Sequence, residues 1–313
     1  MAVSDLLVVV GPTASGKTEL AAALAERLGG EVVSADAFAV YRGLDIGTAK
    51  PDRATRSRVP HHLIDVADPR ERYSAGMFVR DADTTIAEIR HRGRLPVVAG
   101  GTHFYVRALL YGLFPEPPKD PRLRQLLEAD WAADPLAVRA RLAALDPDSV
   151  LRIASADRQR TLRALEVCIL SGRPMTALWR EHPVGAPRHG FLMLGLRPRR
   201  EELHARIGQR VEAMFAAGLL REVAGLLADG LSPQAHALKA IGYRESCQVL
   251  AGVLTEETAV ERAKAATRQL AKRQMTWLRG ERGVEWLLGA GTEVLPAAAS
   301  RVEARRGTGT GAG

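Results

Sequence analysis

Leu6-Leu7-Val8-Val9-Val10 runs directly into Gly11-Pro12-Thr13-Ala14-Ser15-Gly16-Lys17-Thr18, and an Ala/Leu/Glu-rich stretch then continues to Leu28 before Gly29-Gly30. A short unbroken apolar run reads as a buried strand of a parallel sheet. The stretch after the loop has the composition of a helix, and the paired glycines stop it. Between them lies G-x-x-x-x-G-K-[ST]. Glycines let backbone N–H groups close around phosphate oxygens, the helix N-terminus adds positive potential, Lys17 supplies a point charge, and the Thr18 hydroxyl can ligate Mg2+. A glycine-rich turn with an ordinary surface lysine is the alternative. The strand–loop–helix context favours a site for a di- or triphosphate.

Outward from the loop, strand and helix signals alternate. Glu31-Val32-Val33-Ser34 predicts a second strand with Asp36 at its carboxyl end, residues 77–91 a helix, and residues 95–99 a third strand ending at Gly100-Gly101-Thr102. This is the pattern of an α/β fold: a doubly wound parallel sheet of the P-loop NTPase-like kind, with its ligands at the carboxyl ends of the strands. Prolines at 115, 117, 118 and 121 then break the pattern, and helical signals fill the chain to about Gly190. Residues 191–196 read as a strand returning to the sheet, and helices resume from Glu201 to about Leu288. The expected organisation is a core of residues 1–115 and 191–290, a helical insertion domain at 116–190, and a disordered tail at 291–313.

Composition excludes several classes. Hydrophobic residues make up 46% of the 313 and charged residues 26%, the profile of a soluble globular chain. No apolar run approaches the ~20 residues of a membrane helix, and no signal-type N-terminus is present. Two cysteines, Cys168 and Cys247, are too few for a disulfide framework or a cysteine-based zinc site, so a reduced, cytoplasmic setting is expected. A net charge of +8 hints at a polyanionic partner, but many soluble proteins carry as much.

The acid that should accompany a nucleotide-hydrolysing phosphate loop is missing. Its strand normally ends in a carboxylate, whereas residues 95–99 lead into Gly-Gly-Thr. Asp36 is the nearby strand-end acid, and it suits a general base or metal partner as well as a turn aspartate. Phosphoryl and pyrophosphate chemistry both remain open on this ground. His61-His62 cannot present two metal ligands from one face of a regular element. Cys168 reads as core, and Tyr41 and Phe104 as packing.

Further segments carry a resemblance. Asp36 opens DAFAVYRGLDIGTAKP, which ends at Pro51; Asp157-Arg158-Gln159-Arg160 precedes Arg163-Ala164-Leu165-Glu166; Gly242-Tyr243-Arg244 follows; residues 267–280 read TRQLAKRQMTWLRG. With the phosphate loop and Gly100-Gly101-Thr102, these segments resemble the bacterial tRNA dimethylallyltransferases from about residue 6 to about residue 287. The resemblance implies transfer of a dimethylallyl group from dimethylallyl diphosphate to N6 of the adenosine just 3′ of the anticodon, in tRNAs reading codons that begin with U. It implies Mg2+ as cofactor, a general base at Asp36, Thr102 near the breaking C–O bond, and diphosphate binding by Gly11, Thr13, Ala14, Ser15, Gly16, Lys17, Thr18 and Arg210. Contacts to the tRNA anticodon stem-loop map onto Asp36, Ala37, Phe38, Ala39, Thr102, Arg124, Gln159, Arg160, Thr161, Leu162, Arg163, Lys239, Gly242, Tyr243, Arg244, Arg268 and Lys272. A monomer is expected. Ala37 departs from the serine that many members carry, which removes a hydroxyl but leaves the base and the backbone.

Other classes stay in play. An adenylate isopentenyltransferase would use a free nucleotide and has no need of the insertion or the basic stretch 239–244. A nucleotide kinase is disfavoured by Gly100-Gly101-Thr102 and DIGTAKP, and a non-catalytic RNA-binding module by intact Lys17, Thr18 and Asp36. Lys264, Arg268 and Lys272 form one basic stripe at helical spacing, which is either a phosphate-contacting face or a solvated one. Pairing with Glu166 competes with RNA contact for Arg160 and Arg163.

Overall fold

A computed structural model describes residues 6–114, 117, 120–181 and 186–307. The chain divides into two compact units, one of residues 1–110 with 187–313 and one of residues 111–186. The insertion thus spans 111–186 where the prolines suggested 116–190.

The larger unit begins with β1 (Leu6–Val10), α1 (Lys17–Leu28), β2 (Gly30–Ser34), α2 (Arg53–Arg58), β3 (His61–His62), α3 (Ala75–His91), β4 (Leu95–Gly100) and α4 (His103–Tyr111). Its six strands are all parallel, in the order β3-β2-β4-β1-β5-β6, where β5 is Phe191–Arg197 and β6 is Val284–Leu288. β1 lies between β4 and β5, with Val8 opposite both Val98 and Met193, and all five of its residues are buried. That position explains its unbroken apolar run. The loops after β1, β2 and β4 therefore open at one end of neighbouring strands.

Two strands were not expected. β3 has only two residues, too few to show a period. Its histidines are structural: His62 Nε2 lies 2.6 Å from Glu31, a carboxylate that the Arg92 guanidinium (2.8 Å) and His62 hold below its ordinary value against the effect of burial. β6 is a half-exposed edge strand in a stretch read as helical.

The second unit contains α5 (Pro121–Ala133), α6 (Pro135–Leu145), α7 (Pro147–Arg152), α8 (Arg158–Ser171) and α9 (Met175–Glu181). The first three start alike, with an aspartate (Asp120, Asp134, Asp146) accepting from backbone N–H groups of the first turn and a proline directly after it. Leu127, Leu142, Leu162 and Leu165 form the centre of its core.

The larger unit resumes with β5, α10 (Arg200–Ala216), α11 (Leu219–Ala228), a 3-10 turn at Ala237–Lys239, α12 (Tyr243–Leu250), α13 (Glu256–Gly280) and β6. The expected disordered tail is a correction. Residues Gly291–Val294 form a 3-10 turn and Leu295–Gly307 a helix, α14. Val294, Ala298, Ala299 and Val302 join the core cluster that holds Leu20, Ala21 and Leu24 of α1, and Arg27 pairs with Glu303 at 3.0 Å. Alanines that look like low complexity are good helix formers and allow close packing on the alanines of α1. Residues 308–313 of that expectation lie outside the described residues.

Candidate active site

The phosphate loop sits between β1 and α1 and is held from outside at three consecutive residues. Gln274 of α13 accepts from Thr13 N–H at 2.7 Å and donates to Gly101 O at 2.9 Å. Arg206 of α10 donates to Ala14 O at 2.9 Å, and Gly291 N–H donates to Ser15 O at 2.8 Å. Gly16 has φ +79°, and a Cβ there would lie 2.4 Å from Gly291 Cα, so any other residue would collide with the turn. Gln274, to which sequence spacing assigns no role, is buried and ties the loop to the end of β4. The Ser15 hydroxyl is buried without a hydrogen-bond partner.

A cavity of about 840 Å³ opens against the loop; Gly16, Lys17, Thr18, Arg206 and Arg210 line it, together with Ala49, Lys50, Pro51 and Asp52. Burial, with Arg210 nearby, brings Lys17 down to about 8, although the Asp36 carboxylate opposes the shift. Burial likewise lowers Arg210, against the opposing charges of Asp36 and Glu19. Two cations crowded and desolvated in this way are stabilised by an anion placed between them.

Asp36 and Thr102 stand at the ends of neighbouring strands. Asp36 Oδ1 accepts from Phe38 N–H (2.9 Å) and Ala39 N–H (3.2 Å), so one carboxylate oxygen builds the turn. Thr102 Oγ1 accepts from Ala37 N–H at 3.0 Å, and Thr102 N–H donates to Ala35 O at 3.3 Å. Position 37 thus contributes through its backbone, and alanine suffices. The Thr102 hydroxyl keeps its own proton to donate. His103, beside Thr102, is brought down to about 4 by burial and by Lys17, so it is neutral at physiological pH. Phe38 stacks on His236 with ring centroids 6.1 Å apart.

The residues mapped onto RNA contacts divide into exposed and buried sets. In the larger unit Lys239, Arg244 and Lys272 are exposed and Arg268 is half-buried. Lys264 of the basic stripe instead pairs with Glu212 and Glu261 at 2.6 Å each. Gly242 and Tyr243 are buried, Tyr243 completely, so its side chain cannot touch RNA. In the second unit Gln159 and Arg160 are exposed, but Thr161 and Leu162 are fully buried, which excludes side-chain contact there too. Arg124 and Arg163 both pair with the buried carboxylate of Glu166, at 3.2 and 3.0 Å. On α13 the inward face is Ala263, Ala271, Gln274 and Leu278; Trp277 is 45% exposed.

A parallel sheet with a phosphate loop after its central strand, and with a carboxylate and a hydroxyl at the ends of the next two, defines an α/β enzyme with a P-loop-like core. The chain matches the IPP transferase family over residues 39–281 and the isopentenyl transferase family over residues 4–60. It is 52% identical to a tRNA dimethylallyltransferase of Halorhodospira halophila, covering 89% of this chain and 91% of that one, and 50% identical to one of Anaeromyxobacter dehalogenans, covering 90% and 94%. Among solved structures, the full-length tRNA isopentenylpyrophosphate transferase of Bacillus halodurans superposes with a TM-score of 0.73 at 35% identity, covering 97% of each chain. A eukaryotic dimethylallyltransferase acting on tRNA superposes with a TM-score of 0.81 at 27% identity, covering 95% of this chain and 76% of that one. The chain belongs to the tRNA dimethylallyltransferase family and is a prenyltransferase.

Proposed function

We propose that this enzyme, a cytoplasmic monomer, transfers the dimethylallyl group of dimethylallyl diphosphate to N6 of the adenosine immediately 3′ of the anticodon, in tRNAs reading codons that begin with U. The observation that carries this reading is the joint placement of Lys17, Arg210 and Asp36. Two desolvated cations face the phosphate loop, and a carboxylate lies close enough to act on both.

An allylic diphosphate ionises readily once charge on its leaving group is neutralised. Lys17, Arg210 and the N–H groups of the loop would stabilise that charge, and Thr102 would donate its proton to the departing diphosphate. The acceptor amine is a weak nucleophile. Asp36 Oδ2, not used in the turn, would remove its proton as the new C–N bond forms. The target base must leave its stack to reach these groups, and phosphate contacts from Lys239, Arg244, Arg268 and Lys272 would offset that cost. Among the described residues no cluster of three acidic, cysteine or histidine side chains could hold a metal alone. Thr18, which lines the cavity, would hold a Mg2+ through its hydroxyl, and the ion would supply further charge neutralisation to the leaving group.

Nucleoside mass analysis of unmodified tRNA incubated with the protein, Mg2+ and dimethylallyl diphosphate tests the reading, with AMP or ATP replacing tRNA in a parallel tube. One added prenyl unit on tRNA adenosine alone is expected. Prenylated free nucleotide would move the acceptor, and no product beside an active control would remove the reaction.

Two further results are expected. Lys17 is protonated below about 8 in the free protein and loses its charge above that value. The terminal phosphate is fully ionised in this range, so donor binding should pull Lys17 back to its charged form. Calorimetry in buffers of different ionisation enthalpy should show proton uptake on binding above pH 8 and much less at pH 7; absence of uptake at both would disconnect Lys17 from the anion. On the RNA side, Lys272→Ala should lower the salt slope of tRNA binding by about one. An unchanged slope would make its face of α13 a solvated one.

A further inference from the structure

The segment Asp45–Pro51 lies outside the helices and strands; Ala49 and Lys50 N–H close a turn on Ile46 O and Asp45 O, but the N–H groups of residues 45–47 need partners from elsewhere. Three successive N–H groups find them on two side chains. Glu222 of α11 accepts from Asp45 N–H at 3.2 Å and Ile46 N–H at 2.9 Å, and the Tyr243 phenol oxygen accepts from Gly47 N–H at 3.1 Å. Tyr243 in turn donates to Glu222. Burial first, and then the neighbouring Glu222, push the phenol far above its ordinary value, so it remains a donor. A Cβ at Gly47 would lie 2.3 Å from the Tyr243 ring, which is why this loop carries glycine there.

The loop leads straight to the cavity. The Asp45 carboxylate binds Lys50 Nζ at 2.6 Å, and the same ammonium reaches Tyr41 O at 2.7 Å and Asp65. Lys50, with Ala49, Pro51 and Asp52, lines the same cavity as Gly16, Lys17 and Thr18 of the phosphate loop. Displacing residues 45–47 therefore displaces that part of the wall.

We propose that Tyr243 and Glu222 are positioning residues for the donor: they latch the backbone of residues 45–47 and thereby set the cavity wall at 49–52, and they do not touch RNA. This rests on the cavity being the donor site, as proposed above. It also gives the stretch 239–244 two faces, with Lys239 and Arg244 outward and Tyr243 inward on the donor loop.

The test compares Tyr243→Phe, Glu222→Ala and Glu222→Gln in the full chain, with wild type and Lys17→Ala as references. Binding of dimethylallyl diphosphate is read by calorimetry, tRNA binding by filter retention, and KM for each substrate by prenyl transfer; thermal melts confirm folding. Tyr243→Phe and Glu222→Ala should weaken donor binding and raise donor KM about tenfold, since the loop N–H groups lose their acceptor and the wall shifts. tRNA affinity should stay within about twofold, because no phosphate contact is lost. Glu222→Gln keeps a carbonyl acceptor and should restore most of the donor affinity. Weakened tRNA binding with an unchanged donor KM would return Tyr243 to the RNA surface. Unchanged binding of both, in a wild type that does bind the donor, would overturn the latch alone. A wild type that fails to bind dimethylallyl diphosphate would overturn the donor-site reading and the latch with it.

Discussion

Asp36→Asn should lower turnover about 10²–10⁴-fold, the usual contribution of a positioned base, while tRNA continues to bind. The substitution separates the two tasks of this side chain. Asparagine Oδ1 can still accept from Phe38 and Ala39 N–H, so the turn after β2 survives. Only the second oxygen changes, from a proton acceptor to an amide that carries protons already. Asp36→Ala should be at least as inactive, but it also frees two backbone N–H groups and so mixes a loosened turn with the lost base. Single-turnover rates beside filter binding decide the matter. Near-normal turnover in the asparagine variant would remove Asp36 as base.

Lys17→Ala should cost about 10²–10³ in kcat/KM for the donor, the loss typical of one group aimed at developing charge. The effect belongs to the donor half of the reaction, so tRNA affinity should be unaltered. Because Arg210 lies close enough to lower Lys17, removing the ammonium also relieves repulsion on the guanidinium. A loss of only a few-fold would therefore mean that Arg210 carries most of the leaving-group charge, and Arg210→Ala would then show the larger deficit.

Much of the fold was legible because its signals are local. An apolar run before a phosphate loop predicted β1 and α1, and β2, β4 and β5 were found by the same apolar runs. The missed strands lack that signal: β3 is two residues long and β6 is an edge strand of mixed polarity. The candidate site divides along the same line. Asp36 and Thr102 sit in turns that follow strands, and Lys17 and Thr18 open the helix after one, where position in the pattern implies position in the sheet. Gln274 and Gly291 act through contacts between distant segments, which spacing does not encode. On α13 a glutamine takes an inward position because Thr13 and Gly101 satisfy its amide, while Trp277 is exposed. Tyr243 was read as RNA-facing from a resemblance in sequence, and only its burial against Gly47 showed otherwise.

The turn at Gly291 has a bearing on biosynthesis. The phosphate loop leaves the ribosome long before the turn that covers its Ser15 carbonyl and its Gly16. Contacts so far apart along the chain form late and slowly. A nascent chain arrested before residue 291 would display the loop and most of the sheet, with α1 still uncovered on the side that Ala298 and Ala299 later occupy. The loop thus gains this last support only once residue 291 has been made.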